Sequence, residues 1–287
     1  MRSESVVREF QRLLEPGTVA GLTERQVLER FAERGDPVAF EAIVTRHGPM
    51  VYTVCRQMLR DPNDVDDAAQ ATFLILIKKA GRIRQPERLG PWLYGVTFRV
   101  AHRLRTRPTT SDLPENLAGP RLAGPVEDNE QLAMLHDEIQ RLPEKYRVPI
   151  VLCCIEGLSH DEAASRLGWP IGTVHGRLSR ARERLRDRLT RRGVILSGGV
   201  PELLARADAR QIILSEPTRL AVLSLVRGTV PASLEILTKG VLSTMIIEKL
   251  KQMGIAVVIT LIGLGTVTTA LRAYQAAPAD SGVRNDH

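Results

Sequence analysis

Residues 172–189 read GTVHGRLSRARERLRDRL, and how this stretch is read decides the fold. Eight of the sixteen residues from Arg177 to Arg192 are arginine, against Glu183 and Asp187, a net of six positive charges. At about 100° per residue, Val174, Leu178, Ala181, Leu185 and Leu189 share one narrow apolar stripe. Arg177, Arg180, Arg184 and Arg188 line one flank of it; His175, Ser179, Arg182 and Arg186 line the other. Such a helix can be a solvated surface, a coiled-coil seam, a membrane-surface helix or a helix lying in a DNA groove. The stripe does not persist for three heptads, which weighs against the coiled coil.

The neighbouring residues narrow the choice. In LPEKYRVPIVLCCIEGLSHDEAASRLGWP (142–170), Pro143 suits a first helical position and Gly157 a helix end. Ser159 and Glu162 form a capping box for a short helix carrying Ala163, Ala164 and Leu167. Gly168-Trp169-Pro170 is a turn, and the arginine helix starts at about Ile171. Two helices across a short glycine-containing turn predict a helix-turn-helix. Its second helix would place its first turns against base edges and its later arginines against phosphates.

The whole chain of 287 residues carries a net charge of +7, which favours a polyanionic partner. Aromatics are only 4%, and no alternating β-branched run suggests a sheet, so the expected class is all-α. Cys55, Cys153 and Cys154 have no metal-ligand spacing and read as free thiols in a reducing compartment. No P-loop, nucleophile elbow or paired acids of an enzyme site is present, so neither catalysis nor a metal or cofactor is expected. The N-terminus lacks the apolar core of a signal peptide, and the bulk of the chain is expected in the cytoplasm.

Punctuation divides the chain. Residues 1–22 are a leader. Residues 23–107 are a helical domain, opened by a capping box at Thr23 and Gln26, with a second helix start at Asp61-Pro62. Residues 108–131 hold four prolines and a net charge of −4, the pattern of a flexible linker. Residues 132–192 are the second helical domain. Residues 193–251 are an extension, 252–271 an apolar segment, and 272–287 a short tail.

In the first domain, Asp64, Asp66, Asp67 and Gln70 crowd one surface of a helix whose Phe73, Ile75 and Leu76 face the core. Acids near the positive end of a helix stabilise it; they can equally form a polar docking face. The next helix, from about Pro91, is predicted to bury Leu93, Val96, Val100 and Leu104. It shows Tyr94, Phe98, Arg99, His102, Arg103 and Arg105 elsewhere. Rings interleaved with cations suit single-stranded DNA, although Trp92 and Phe98 can also be plain core aromatics.

Here the sequence resembles a known family. Leu142, Pro143, Arg147, Gly157, Ser159, Glu162, Ala164, Leu167, Gly168, Gly172, Thr173, Val174, Arg177, Arg180, Ala181, Arg182 and Leu185 match region 4 of the extracytoplasmic-function (ECF) bacterial RNA polymerase sigma factors. Gly35-Asp36, Ala39-Phe40, the string Asp64, Asp67, Gln70, Phe73, and Trp92-Leu93-Tyr94 resemble region 2. The two regions cover about half the chain in the family's order. The resemblance implies that Thr173, His175, Gly176, Arg177, Ser179, Arg180 and Arg184 meet the minus-thirty-five promoter element. It implies that Arg82, Arg84, Trp92, Tyr94, Arg99 and Arg103 hold the minus-ten strand, with a flipped base captured near the loop from Arg82 to Arg88. Asp64, Asp67, Gln70 and Phe73 would dock on the β′ clamp helices of core polymerase, region 4 would meet the β flap, and an anti-sigma factor is a further implied partner. His175 and Gly176 depart from the family after G-T-V, and Arg99 stands where the family usually has Asn.

The uncharged run QMGIAVVITLIGLGTVTTAL (252–271) would span roughly 30 Å as a helix, about the hydrocarbon thickness of a bilayer. It resembles the membrane segment of a subgroup of these factors. A tether with the N-terminus inside is one expectation, and a core helix of a small domain is the other. Two competing readings remain: an ordinary helix-turn-helix repressor or activator, and a membrane-bound interaction protein of the anti-sigma kind.

Overall fold

The computed structural model describes residues 19, 21–107, 126–194, 199–206, 216–228 and 230–245, and among these every regular element is helical. The leader up to residue 18 and the segment 252–271 lie outside the described residues. One compact unit runs to Val241. The second unit, Leu242–His287, contributes only residues 242–245, which are helical.

The first domain is built from α1 (Glu24–Arg34), α2 (Pro37–Met58), α3 (Pro62–Lys79) and α4 (Leu89–Arg105). The expected starts are present. Thr23 and Gln26 form a reciprocal capping box. Asp61 caps α3, accepting from Asn63 N at 2.8 Å, with Pro62 at the first helical position. Asp36 caps α2 in the same way. α2 and α3 pack on each other and on α4. Three of the five phenylalanines gather in the domain's core: Phe31 and Phe40 have ring centroids 5.0 Å apart, and Phe40 meets Phe73 edge-on at 6.2 Å. α4 begins at Leu89, two residues before the predicted start, so Pro91 sits in the first turn, where its missing N–H has no helical acceptor to lose. Leu93, Val96 and Val100 are buried as expected; Leu104, in the last turn, is only partly covered.

The second domain comprises α5 (Val126–Gln140), α6 (Glu144–Ile150), α7 (His160–Leu167) and α8 (Ile171–Arg191). α5 begins inside the stretch expected to be linker. Pro143 caps α6 rather than opening it. α6 runs on through a π turn, Val151–Ile155, and Gly157 follows with φ 75°. The Ser159–Glu162 capping box opens α7, and Gly168 ends it at φ 63°. The five stripe residues of α8 are each at most 1% exposed. Burying a leucine of this kind stabilises by about 1.5–3 kcal/mol, so the stripe holds α8 in place.

The extension adds α9 (Gly199–Arg206), α10 (Glu216–Ser224) and α11 (Ala232–Met245). Among the described residues, no single helix is long and apolar enough to cross a membrane; Glu216–Arg227 and Ala232–Met245 reach that hydropathy only as a pair bent by 77°.

Candidate nucleic-acid interface

The helix-turn-helix core is small: Val148, Leu152, Ala163, Ala164 and Val174, with Cys153, Leu167 and Trp169 against it. It fixes the angle of α8 and turns the helix's polar flanks outward. Within the expected reading set, His175, Ser179, Arg180 and Arg184 are exposed, and Thr173, Gly176 and Arg177 are half-buried. His175 meets the ring of His160, the first residue of α7, with centroids 5.7 Å apart. Ile171 is 48% exposed at the start of α8. The sequence missed it, because its heptad position continues the buried stripe one turn back, beyond the reach of α7.

The arginines of α8 do not form one uniform surface. Arg177 lies over the Trp169 indole at 4.1 Å and Arg184 over the Tyr146 ring at 4.7 Å. These cation–π contacts hold each guanidinium at a fixed place. Arg182 reaches the Cys154 sulfur at 3.7 Å. Farther along, Arg188 and Arg192 approach the buried Glu138 carboxylate at 3.6 and 3.1 Å. The later arginines therefore brace α8 onto α5, a role the helical wheel alone did not reveal.

In the first domain, Arg82, Arg84 and Arg103 are exposed and Trp92 is half-buried. Arg99 is half-buried and donates to the Gly95 carbonyl at 2.9 Å. Tyr94 does not present its ring to a nucleic acid. It is fully buried, and its hydroxyl donates to His136 Nδ1 at 3.0 Å. On a helix start lined by Trp92, Leu93 and Tyr94, only the first stays near the surface. Burial pushes the His136 imidazole down to about 3, with Arg105 adding to the effect. A neutral ring then donates from Nε2 to Gln57 Oε1 at 2.7 Å.

On α3, Asp64, Asp67 and Gln70 are half-buried on one side. Burial raises the carboxyl pKa of Asp64 and Asp67. The neighbouring acids add to this, Asp61 at Asp64 and chiefly Asp64 and Asp66 at Asp67. Phe73, which the resemblance placed on the docking face, is in the core at 0% exposure, as the helix pattern predicted, with its ring edge-on against Phe40. Among the described residues, no cluster of three or more His, Cys, Asp or Glu could hold a metal.

The two domains also meet. His47 of α2 lies between Glu24 of α1 and Glu156, which follows the π turn, at 2.5 and 2.8 Å. Arg166 of α7 bridges both acids at 3.0 and 3.5 Å. Arg88 pairs with Glu144 at 2.6 Å and leans over Trp169. Nothing in the sequence pattern announced this buried ionic network, since its members are divided between the two domains and spread from residue 24 to residue 166.

Residues 43–109 match the family described as Sigma-70 region 2, and residues 132–185 match Sigma-70, region 4. The RNA polymerase sigma-H factor of Pseudomonas aeruginosa is 31% identical over 176 residues, covering 56% of this chain and 90% of the relative. Sigma factor CarQ of Myxococcus xanthus is 32% identical, covering 56% and 95%. The ECF sigma factor SigE of Mycolicibacterium smegmatis is 31% identical, covering 56% of this chain and 66% of its own length. The structure of CnrH in complex with the cytosolic domain of CnrY is 27% identical, covering 58% and 97%; its TM-score of 0.33 is too low to bear on the arrangement here. A two-domain helical protein with a basic helix-turn-helix and these relatives is a promoter-recognition subunit of RNA polymerase, and the chain belongs to the ECF sigma factors. As such it directs core polymerase to specific promoters for transcription initiation.

Proposed function

We propose the following division of labour among the residues. α8 enters the major groove at the minus-thirty-five element. Thr173, His175, Gly176, Arg177, Ser179 and Arg180 face base edges, Arg184 follows phosphates, and Ile171 offers an apolar contact to a thymine methyl. Arg82, Arg84, Trp92, Arg99 and Arg103 hold the minus-ten strand, without Tyr94. Trapping an unstacked base costs a few kcal/mol, which binding contacts can supply without a catalytic group. Asp64, Asp67 and Gln70 dock on the β′ clamp helices, and the second domain on the β flap. The observation that carries this reading is the full burial of the α8 stripe, which leaves its N-terminal polar flank outward.

The two promoter elements lie about 25 base pairs apart, roughly 85 Å at 3.4 Å per pair. A compact unit of this size has a radius of gyration of about 18 Å. Simultaneous contact with both elements therefore requires the two domains to part. An anti-sigma partner, proposed from family membership, would act on the same domains. Run-off transcription with core polymerase on genomic fragments tests the reading. Specific transcripts are expected; no transcript together with no core binding would overturn it. The tether through 252–271 is proposed on its length and composition. Fractionation of the full chain against one ending at Lys251 tests it: if both are soluble, the tether is wrong.

A further inference from the structure

The extension beyond residue 194 lies outside both family matches, which end at residues 109 and 185. It is nevertheless packed onto the first domain. α10 lies against both α2 and α3. Thr218, 3% exposed, donates from its hydroxyl to Asp66 Oδ1 at 2.9 Å, and it also shares a hydrogen bond with Tyr52. Arg219 reaches Glu41 Oε1 at 2.5 Å. Val222 and Leu225 are buried beside these contacts. α9 adds the Arg206 carbonyl, which accepts from Gln57 Nε2 at 3.1 Å. In α11, a Cβ on Gly240 would overlap the Arg103 guanidinium, so that cation lies directly on the glycine backbone.

The placement is selective. Asp66 stands in the acidic cluster of α3, one turn from Gln70 and adjacent in sequence to Asp67. Arg103 is one of the cations assigned to the minus-ten strand. A partner helix approaching Asp67 and Gln70 would come up beside α10, which holds Asp66. We infer that α9, α10 and α11 as far as Val241 form an inhibitory module carried in cis. They hold the Asp66 flank of α3 and sit against Arg103 on α4, and so hinder docking until core RNA polymerase displaces them. This rests on the reading of Asp64, Asp67 and Gln70 as the polymerase-docking face.

The contacts suit a reversible cover. The Arg219–Glu41 pair is about a third exposed on both sides, and pairs of that kind add little net stability. Adhesion comes mainly from the modest apolar patch of Val222, Leu225, Leu234 and Val241. A cover that weak leaves a minor open population, and the apparent affinity for polymerase is reduced by that fraction.

The test measures equilibrium binding of full-length protein to purified core polymerase, alongside amide exchange across residues 62–70. Thr218→Asp with Arg219→Glu places carboxylates opposite Asp66 and Glu41. It is expected to tighten core binding about three- to tenfold and to speed exchange in α3. Arg219→Ala alone should shift both in the same direction by less, and it carries the test if the double variant melts as a whole. Asp64→Lys with Asp67→Lys should abolish core binding. Unchanged or weaker binding by both extension variants, with the α3 variant inactive, overturns the cis module and leaves the docking face standing. Wild-type binding by the α3 variant overturns the docking face itself.

Discussion

His47 and Glu156 stand 109 positions apart and share a 2.8 Å hydrogen bond that crosses from the first domain to the second. The groups facing His47 are Glu24 of α1, Glu156 after the π turn, and, farther off, Arg166 of α7. Burial alone would lower the pKa of this imidazole, but the two carboxylates outweigh it and push it up to about 9. A folded value above the unfolded 6.5 means that the stabilisation is complete below about pH 6.5. It is lost as pH rises through about 9. The shift corresponds to on the order of 3 kcal/mol. Melting followed from pH 7 to 9.5 should show stability falling, and His47→Gln should flatten that slope. A wild-type slope no steeper than that of the variant would contradict the assignment.

Gly90, in the first turn of α4, leaves the space into which the Glu156 carboxylate fits. A methyl group there would drive the carboxylate off His47 and Arg166. Gly90→Ala should therefore destabilise the unit by about 1–3 kcal/mol, against the usual gain from alanine in a helix. Combined with His47→Gln it should cost less than the sum of the two single changes. Denaturant melts of the four proteins would show strict additivity if the glycine served another purpose.

Tyr94 ties α4 to α5 through His136 and Gln57, and Gln57 in turn holds the Arg206 carbonyl of α9. Tyr94→Phe removes one hydroxyl and strands the His136 acceptor. A loss of about 1–3 kcal/mol in stability is expected. Promoter binding by the assembled holoenzyme should stay at the wild-type level. A selective defect in opening the minus-ten element would instead restore Tyr94 to the DNA surface.

On α8, Arg180 is exposed and Arg188 is engaged by Glu138. Arg180→Ala should cost about 1–3 kcal/mol of binding and relax base preference at one position. Arg188→Ala should lower the melting temperature, because it leaves the buried Glu138 with less positive charge beside it. Its effect on binding should be weak and uniform across sequences. Binding titrations over a range of salt, with melts of the same samples, separate the two; identical behaviour of the variants would refute the division.

Local rules carried much of this structure. The caps at Thr23, Asp61 and Ser159, and the stripe from Val174 to Leu189, were legible because each depends on residues within a few turns of one another. Tyr94 was misjudged on the helix wheel, whereas Phe73 lies in the core where the wheel had it and was put on the docking face only by the family resemblance. A residue's place on a helix wheel says which neighbours it could face, not how many helices surround it. α9 and α10 gave no signal because their partners, Gln57, Asp66 and Glu41, lie 149, 152 and 178 positions earlier in the chain. The same holds for the His47 network.

The π turn at Val151–Ile155 makes the bearing of Glu156 a matter of residue count. The Glu156 N–H bonds back to Val151 at 2.8 Å, a five-residue step that fits one residue more than an α-helical turn would hold. Each residue of an α-helix advances the azimuth by about 100°. Wound as a regular α-helix, the same residues would carry Glu156 further round by most of that angle, away from His47. The wide turn thus sets how the second half faces the first without any change in the composition of either.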